Sequence, residues 1–510
     1  MSEAMSDLDA PGAPLMEEGE AAAGSRKQRV GLVLGPVLFA LILALPLEGL
    51  TPPAHRLAAV FVWAVVYWVT EAVPVTVTAL LASILSVLLG IGSSQTVLAA
   101  YADPIIFLFI GSFILAVAFQ QTGLDRRVAF AILRLPWATQ TPARLMFTMG
   151  AITWAMSLWV SNTATTAIML PIGVGLLRST GALDGSGGSG FATALLLMLT
   201  WAASTGGIGT PVGSPPNLIA LSMLRELAGI RITFFHWMLL AFPLAMLMLV
   251  LCWLILRQRY GVRGPVSGDA RAYLAAESSR LGRWSPGERN VLAVFIVAVT
   301  LWTLPGIITI LSSPDAAIPR FFERRLPEAM VALLAAVSLF LLPTNLRAGQ
   351  FTITWRQAVR IDWGTILLFG GGLSLGKLMF ETKLAEAMGT AIVRISGAES
   401  VWGLTAVAIV LGIILSETSS NTASASMLVP TIIAVAAGGG MSPIPPVLGA
   451  TLGASFGFML PVSTPPNAIV YGTGLVPLRE MMASGVRLDV AGAVLIWLGL
   501  RVMVGLFGLL

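Results

Sequence analysis

The chain has 510 residues, 56% of them hydrophobic and only 11% charged, with a net charge of +5 and one cysteine. Soluble domains average about 25% charged residues, so this chain lacks the polar side chains to cover a soluble surface. That excludes a soluble globular enzyme, a disordered chain and a disulfide scaffold, and leaves the bilayer as solvent. A mean hydropathy of +0.87 agrees. The basic excess is Arg set between apolar runs, a topology signal rather than a nucleic-acid surface. Cys252, inside such a run, reads as packing.

Met1–Ser25 is acidic, without apolar period, and reads as a disordered tail; it lacks the basic opening of a signal peptide. Arg26, Lys27 and Arg29 then flank the first of eleven expected spans. These are Gly31–Leu47, Leu57–Val69, Val75–Ile91, Pro104–Gln120, Phe191–Ser204 and Phe234–Leu256. Val291–Leu304, Glu328–Leu342, Thr365–Phe380, Val447–Leu460 and Leu488–Leu510 follow. Arg144–Leu177 and Val401–Ala437 are apolar but broken near the middle by polar clusters. Each reads as a helical hairpin that enters the membrane and returns on the same side, tolerable where protein or a wet cavity satisfies the backbone. The positive-inside rule puts the N-terminus in the cytoplasm, with the loops at Arg126–Arg144, Arg257–Arg289 and Arg347–Arg360. Arg320, Arg324 and Arg325 run against it, and eleven crossings leave the C-terminus outside.

The chain repeats itself at offsets of 250 to 260 residues. Phe109-Ile-Gly111 answers Phe369-Gly-Gly371, and Ala79-Leu-Leu-Ala82 answers Ala332-Leu-Leu-Ala335. Ser161-Asn162-Thr163-Ala164 answers Ser420-Asn421-Thr422-Ala423. Ser214-Pro215-Pro216-Asn217 answers Thr464-Pro465-Pro466-Asn467. One hairpin follows an inward crossing and the other an outward one, so the repeats are inverted. Paired broken elements in inverted repeats point to a secondary transporter with its site at the midplane.

A Ser-Asn-Thr tip offers hydroxyls, an amide and carbonyls freed by the break, oxygen ligands for a hard monovalent cation such as Na⁺. The same turn exposes N–H groups at the start of the returning half-helix, where the dipole favours an anion. Two prolines remove two donors and leave carbonyls free. The plain alternatives are a capped break and a simple kink, and the doubling of both motifs weighs against them. Neither tip carries Arg, Lys or His. A multiply charged anion there needs a counter-charge, and bound cations supply it, which couples the two by linkage. No P-loop appears. His55 and His236 read as interfacial residues. Glu417, Lys377 and Glu71 are ionisable groups at candidate membrane depth and so candidates for function.

The two tips, each followed by a (Ser/Thr)-Pro-Pro-Asn loop, and Trp68-Val-Thr-Glu71-Ala-Val-Pro74 resemble the divalent anion/sodium symporter family of INDY-type carboxylate transporters, over about Gly31 to Leu510. The resemblance implies an all-α polytopic membrane protein, a homodimer whose protomers combine scaffold and transport domains in an elevator motion. It divides the chain into a cytoplasmic tail (1–28), scaffold helices (29–104), a first transport half with the inner hairpin (105–232), and scaffold helices with a cytoplasmic loop (233–364). A second transport half with the outer hairpin (365–475) and a last helix (476–510) complete it. It implies C4-dicarboxylates such as succinate, fumarate and malate as substrates, or citrate or sulfate, with Na⁺ co-transported; three Lys against twenty-seven Arg point, by composition, to a GC-rich genome and a bacterial inner membrane. A first sodium site falls on Ser157, Ser161, Asn162 and the backbone of Gly213. A second falls on Ser416, Ser419 or Ser420, Asn421 and the backbone of Ser463. Substrate carboxylates meet Asn162, Thr163 and Ser214 on one side, and Asn421, Thr422, Thr464 and Pro465 on the other. The family also holds sodium-independent exchangers, against which the hydroxyls of Ser157 and Ser416 argue. A proton-driven antiporter rests on Glu417 alone, and a hydrolase using Ser161 or Ser420 lacks a base. Inverted hairpins disfavour a channel, and no nucleic-acid partner is expected.

Overall fold

The computed structural model describes residues 14–47, 49–183, 190–262, 270–312, 317–396 and 400–506. The first repeat contains α1 (Pro14–Ala44), α2 (Pro52–Thr70), α3 (Val75–Leu88), the short α4 (Ser94–Ala99), α5 (Pro104–Thr122) and α6 (Leu124–Leu133). The hairpin α7 (Pro142–Ser157) and α8 (Asn162–Ser179) follows, then α9 (Gly190–Gly207), α10 (Pro215–Ala228) and α11 (Phe234–Arg259). After α12 (Ala270–Arg280) come α13 (Pro286–Leu311), α14 (Ala317–Arg325), α15 (Glu328–Leu341), β1 (Pro343–Asn345), β2 (Gln350–Phe351), α16 (Trp355–Ala358), α17 (Trp363–Glu381) and α18 (Leu384–Ser396). The second hairpin is α19 (Val401–Thr418) with α20 (Asn421–Gly438), followed by α21 (Ile444–Ala454), α22 (Pro465–Tyr471) and α23 (Leu478–Leu506).

Each of the eleven expected spans falls on a helix, and both broken stretches are helix pairs. Among the described residues ten helices are long and apolar enough to cross a bilayer, both arms of the second hairpin included. Two corrections apply. The chain is helical from Pro14, inside the tail expected to be disordered, because Glu, Ala, Leu and Met are strong helix formers; residues 1–13 lie outside the described residues. The span at Val447–Leu460 ends as helix at Ala454, and the chain then unwinds towards the prolines. The all-α expectation holds, with one small antiparallel hairpin, β1–β2, beside the helices.

The helices start where the sequence supplies caps. Thr51, Asp103 and Thr141 each accept a backbone N–H while proline occupies the first turn, where its missing donor costs nothing. Ser285 and Glu288 form a reciprocal capping box at α13.

The repeat seen in sequence is also a repeat in packing. α7 packs on α9 and α19 on α21; α8 meets α22 and α20 meets α10; α11 lies on α9 and α23 on α21. The halves also cross: α5 packs on α15, and α17 on α3. A Cβ on Gly111 would lie 2.5 Å from the Ala332 carbonyl carbon, and one on Gly371 2.7 Å from the Ala79 Cβ. The matched Phe-x-Gly and Ala-Leu-Leu-Ala segments are thus places where helices of opposite repeats touch backbone to backbone, the small-residue packing that lipid favours. Phe109 and Phe369 meet between these crossings, ring centroids 5.6 Å apart.

Candidate functional site

Both hairpin tips are built on one plan. In the first, Ser161 caps α8 and accepts from the Ala164 N–H, while the buried Ser157 hydroxyl donates to Asn162 Oδ1 at 2.7 Å. In the second, Ser420 caps α20 and accepts from the Ala423 N–H at 3.2 Å. Ser416 there donates to Asn421 Oδ1 at 2.7 Å. Each asparagine carbonyl oxygen is therefore held on the hydroxyl one turn back, and its amide N–H₂ is left to point elsewhere. Ser419 departs from the expected set: its hydroxyl donates to the Trp68 carbonyl at 3.0 Å. That carbonyl is free because α2 stops just beyond it, at Glu71 in the left-handed conformation (φ 50). The Trp68–Pro74 stretch thus ties the second tip to the end of α2, with the Trp68 indole donating to the Val75 carbonyl at 3.0 Å.

Opposite each tip a membrane helix is interrupted. Between α9 and α10, Asn217 Nδ2 donates to the carbonyls of Gly207 (2.8 Å) and Thr210 (2.7 Å), and Thr210 Oγ1 donates to the Leu158 carbonyl of the tip. Between α21 and α22, Asn467 Nδ2 spans the corresponding carbonyls of Gly457 (2.7 Å) and Leu460 (3.0 Å). The asparagine of each Pro-Pro-Asn motif ties together the loop that the prolines open.

The two breaks differ at one position. At Gly213 the space a Cβ would fill is ringed by the carbonyl oxygens of Gly207 (2.6 Å), Leu158 and Ser157 (both 2.9 Å). Its counterpart Ser463 fills that space with its own side chain and donates to the Gly457 and Leu460 carbonyls at 2.8 and 2.7 Å. The first cradle is lined by carbonyls and open; the second presents a hydroxyl oxygen. Both sets consist of neutral hard oxygens, suited to an alkali cation and not to a transition metal.

One cavity of about 670 Å³ joins the motifs. Ser161, Asn162, Thr163, Gly213 and Ser214 line it from one repeat, and Ser420, Asn421, Thr422, Ser463, Thr464 and Pro465 from the other. Ser157 and Ser416 lie fully buried behind the tips. The sequence reading missed further lining residues: Trp159, Gln120 at the end of α5, and Arg360, Asp362 and Thr365 at the start of α17. They flank the motifs or sit in loops, and only their position after folding marks them.

The remaining candidates take structural places. Glu417 accepts the N–H groups of Met459 (2.8 Å) and Leu460 (3.2 Å), holding the unwound segment after α21, and lies outside the cavity lining. His55 pairs with the Ile42 carbonyl at 2.6 Å and His236 with the Thr233 hydroxyl at 2.7 Å. Lys377 of α17 binds Glu226 of α10 at 2.8 Å; Arg225 binds Asp103 at the head of α5, also at 2.8 Å. This ion network lies at the ends of α5 and α17 away from Gln120 and Asp362. Cys252 is buried.

A family model described as the sodium:sulfate symporter transmembrane region matches residues 26–507. The sodium-dependent dicarboxylate transporter SdcS of Staphylococcus saprophyticus is 32% identical over 480 residues, 92% of this chain and 90% of that protein. SdcS of Staphylococcus aureus strain bovine RF122 is 31% identical over 492 residues with the same coverage. The crystal structure of the Alcanivorax borkumensis YdaH transporter, described as revealing an unusual topology, superposes with a TM-score of 0.53. It covers 95% of this chain and 97% of that one at 18% identity, a likeness of fold alone.

Proposed function

The chain belongs to the family of the sodium:sulfate symporter transmembrane region, and on that premise we propose that it imports C4-dicarboxylates together with Na⁺. It is a multi-pass membrane transporter and not an enzyme. The relatives named sodium-dependent dicarboxylate transporters support sodium-coupled dicarboxylate transport. The observation that carries the finer reading is the convergence of both tips and both helix breaks on one cavity.

In this reading one Na⁺ sits at the cradle by Gly213 with Ser157, Ser161 and Asn162. A second sits by Ser463 with Ser416, Ser420 and Asn421. Ser419, occupied by Trp68, is left out of that set. The carboxylates of succinate, fumarate or malate lie on the N–H side, against Asn162, Thr163 and Ser214 at one end and Asn421, Thr422, Thr464 and Pro465 at the other. The cations offset the charge of the dianion, so each binds better in the presence of the other.

Movement follows as an elevator. The hairpins with α9–α10 and α21–α22 form the travelling body, against a frame of α2–α3 and α13–α15. At the borders of the expected division, α5 packs on the frame helices α13 and α15, and α11 on α9 and α23. The ion network joining α10 to α5 and α17 lies at the ends of those two helices away from Gln120 and Asp362. The open end faces the cytoplasm on the positive-inside argument, with the protein a homodimer in the bacterial inner membrane.

The test is labelled succinate uptake into proteoliposomes under an inward Na⁺ gradient, with K⁺ as control. Concentrative uptake in Na⁺ alone is expected, falling at least tenfold in Asn162→Ala and in Asn421→Ala. Uptake indifferent to Na⁺ but dependent on internal succinate would replace symport by exchange. Uptake of sulfate or citrate in place of succinate would keep the site and change its substrate.

A further inference from the structure

The tips carry no basic side chain, yet the cavity they share is not without one. Of the residues that line it, two are charged, Arg360 and Asp362, on the link between α16 and α17. The two form no ion pair with each other. Asp362 caps α17: one oxygen accepts the Thr365 N–H at 3.0 Å and the other the Thr365 hydroxyl at 2.6 Å. The Arg360 guanidinium is exposed and has no hydrogen-bond or ion-pair partner among the described residues. An unpaired guanidinium offers a planar fork of donors matched to a carboxylate.

We infer that Arg360 is the anion-capturing residue at the mouth of the cavity, the first and last side chain of this protein that a dicarboxylate meets on that side, and that it sets affinity there. The inference rests on the anion-transport reading above and adds a residue to it. The anion enters or leaves past Arg360 while the tips hold it together with the cations. A dianion gains from the guanidinium twice what a monoanion gains, so the mouth discriminates by charge before the site discriminates by shape. Sodium binding at the cradles is not part of this role. A unit charge at contact distance in water is worth about fivefold in an equilibrium or a rate, so a dianion, or a comparison of opposite unit charges, reads about 25-fold.

Cys252, the single cysteine, is buried, which permits a test independent of transport. A cysteine is placed at Val117, a cavity-lining residue outside the proposed binding set. Its labelling by the anionic sulfonatoethyl and the cationic trimethylammonioethyl methanethiosulfonate is then timed. In the Arg360→Gln background the anionic reagent should slow and the cationic one quicken, so that their rate ratio falls about 25-fold, and in Arg360→Lys it should return. Succinate uptake in oriented proteoliposomes should show a KM raised about 25-fold from the Arg360 side and unchanged from the other, with the Na⁺ dependence kept. An unchanged labelling ratio overturns the inference, and so does an equal KM change from both sides, which would mark a structural residue. If the ratio shifts but wild-type protein takes up no dicarboxylate, the substrate reading fails while Arg360 stands as an anion-attracting residue.

Discussion

Residue by residue, the two tips and the two breaks are sets of neutral oxygens held in place by serine hydroxyls and asparagine amides. Ser157 and Ser416 fix Asn162 and Asn421 at equal distances of 2.7 Å, and Asn217 and Asn467 brace the opened loops. The informative difference is Gly213 against Ser463. Gly213→Ala puts a methyl 2.6 Å from the Gly207 carbonyl oxygen, closer than real contacts allow. It should fill the first cradle, raise the half-saturating Na⁺ concentration at least tenfold and leave the second cradle intact. Uptake measured against Na⁺ concentration checks this, and an unchanged curve would move the first cation elsewhere. Most of this constellation was legible in sequence, because doubled motifs announce themselves. Ser419 or Ser420 was not decidable there: both are hydroxyls beside the same asparagine, and only the path of α2 beneath the tip assigns Ser419 to Trp68. Arg360 was read as a topology signal, since an arginine in a loop looks the same whether it faces lipid headgroups or a cavity.

At the scale of elements, two crossings hold the repeats together. Gly111→Leu would drive a branched side chain into the Ala332 backbone, and Gly371→Leu into Ala79. Overpacking of this kind costs about 1–3 kcal/mol, so each variant should melt earlier in detergent; an unchanged melting temperature would mean that the crossing is loose. The link α6 makes a pH-dependent contribution. Burial pushes the Asp125 carboxyl up to about 6, against the pull of the Arg126 N–H and charge. A folded-state value above the unfolded one gives stability that is complete below about pH 4 and lost as pH rises through about 6. The loss approaches about 3 kcal/mol. Asp125→Asn should therefore melt like wild type near pH 4 and later than wild type at pH 7 to 8; parallel curves would refute this. The long spans were readable because apolar length is the strongest membrane signal. The half-helices α10 and α22 were not, being short segments visible only as the continuations of broken helices. The links α6, α16 and α18 were missed because they are too short or too polar to register as spans.

The whole molecule is two inverted copies that exchange helices, so that each copy packs on a part of the other and both present a tip to one cavity. That arrangement explains why the offsets cluster between 250 and 260 residues: the matches sit where the repeats touch each other or face the site. It also explains the absence of charge at the tips, since a permanent cation there would bind the anion without any need for Na⁺ and uncouple transport. The placement of Arg360 at the mouth, away from the tips, respects the same logic. Inversion was legible in sequence from the alternation of crossings; the exchange of helices between halves was not, because it depends on which apolar faces meet. The central claim, that cation and anion bind as one linked set at the paired tips, is tested most directly by equilibrium binding of labelled succinate to the purified protein across a range of Na⁺ concentrations at constant ionic strength. The account predicts affinity that rises steeply with Na⁺, stays flat when K⁺ replaces it, and is lost in Asn162→Ala. Succinate affinity independent of Na⁺, with that variant still binding, would contradict it.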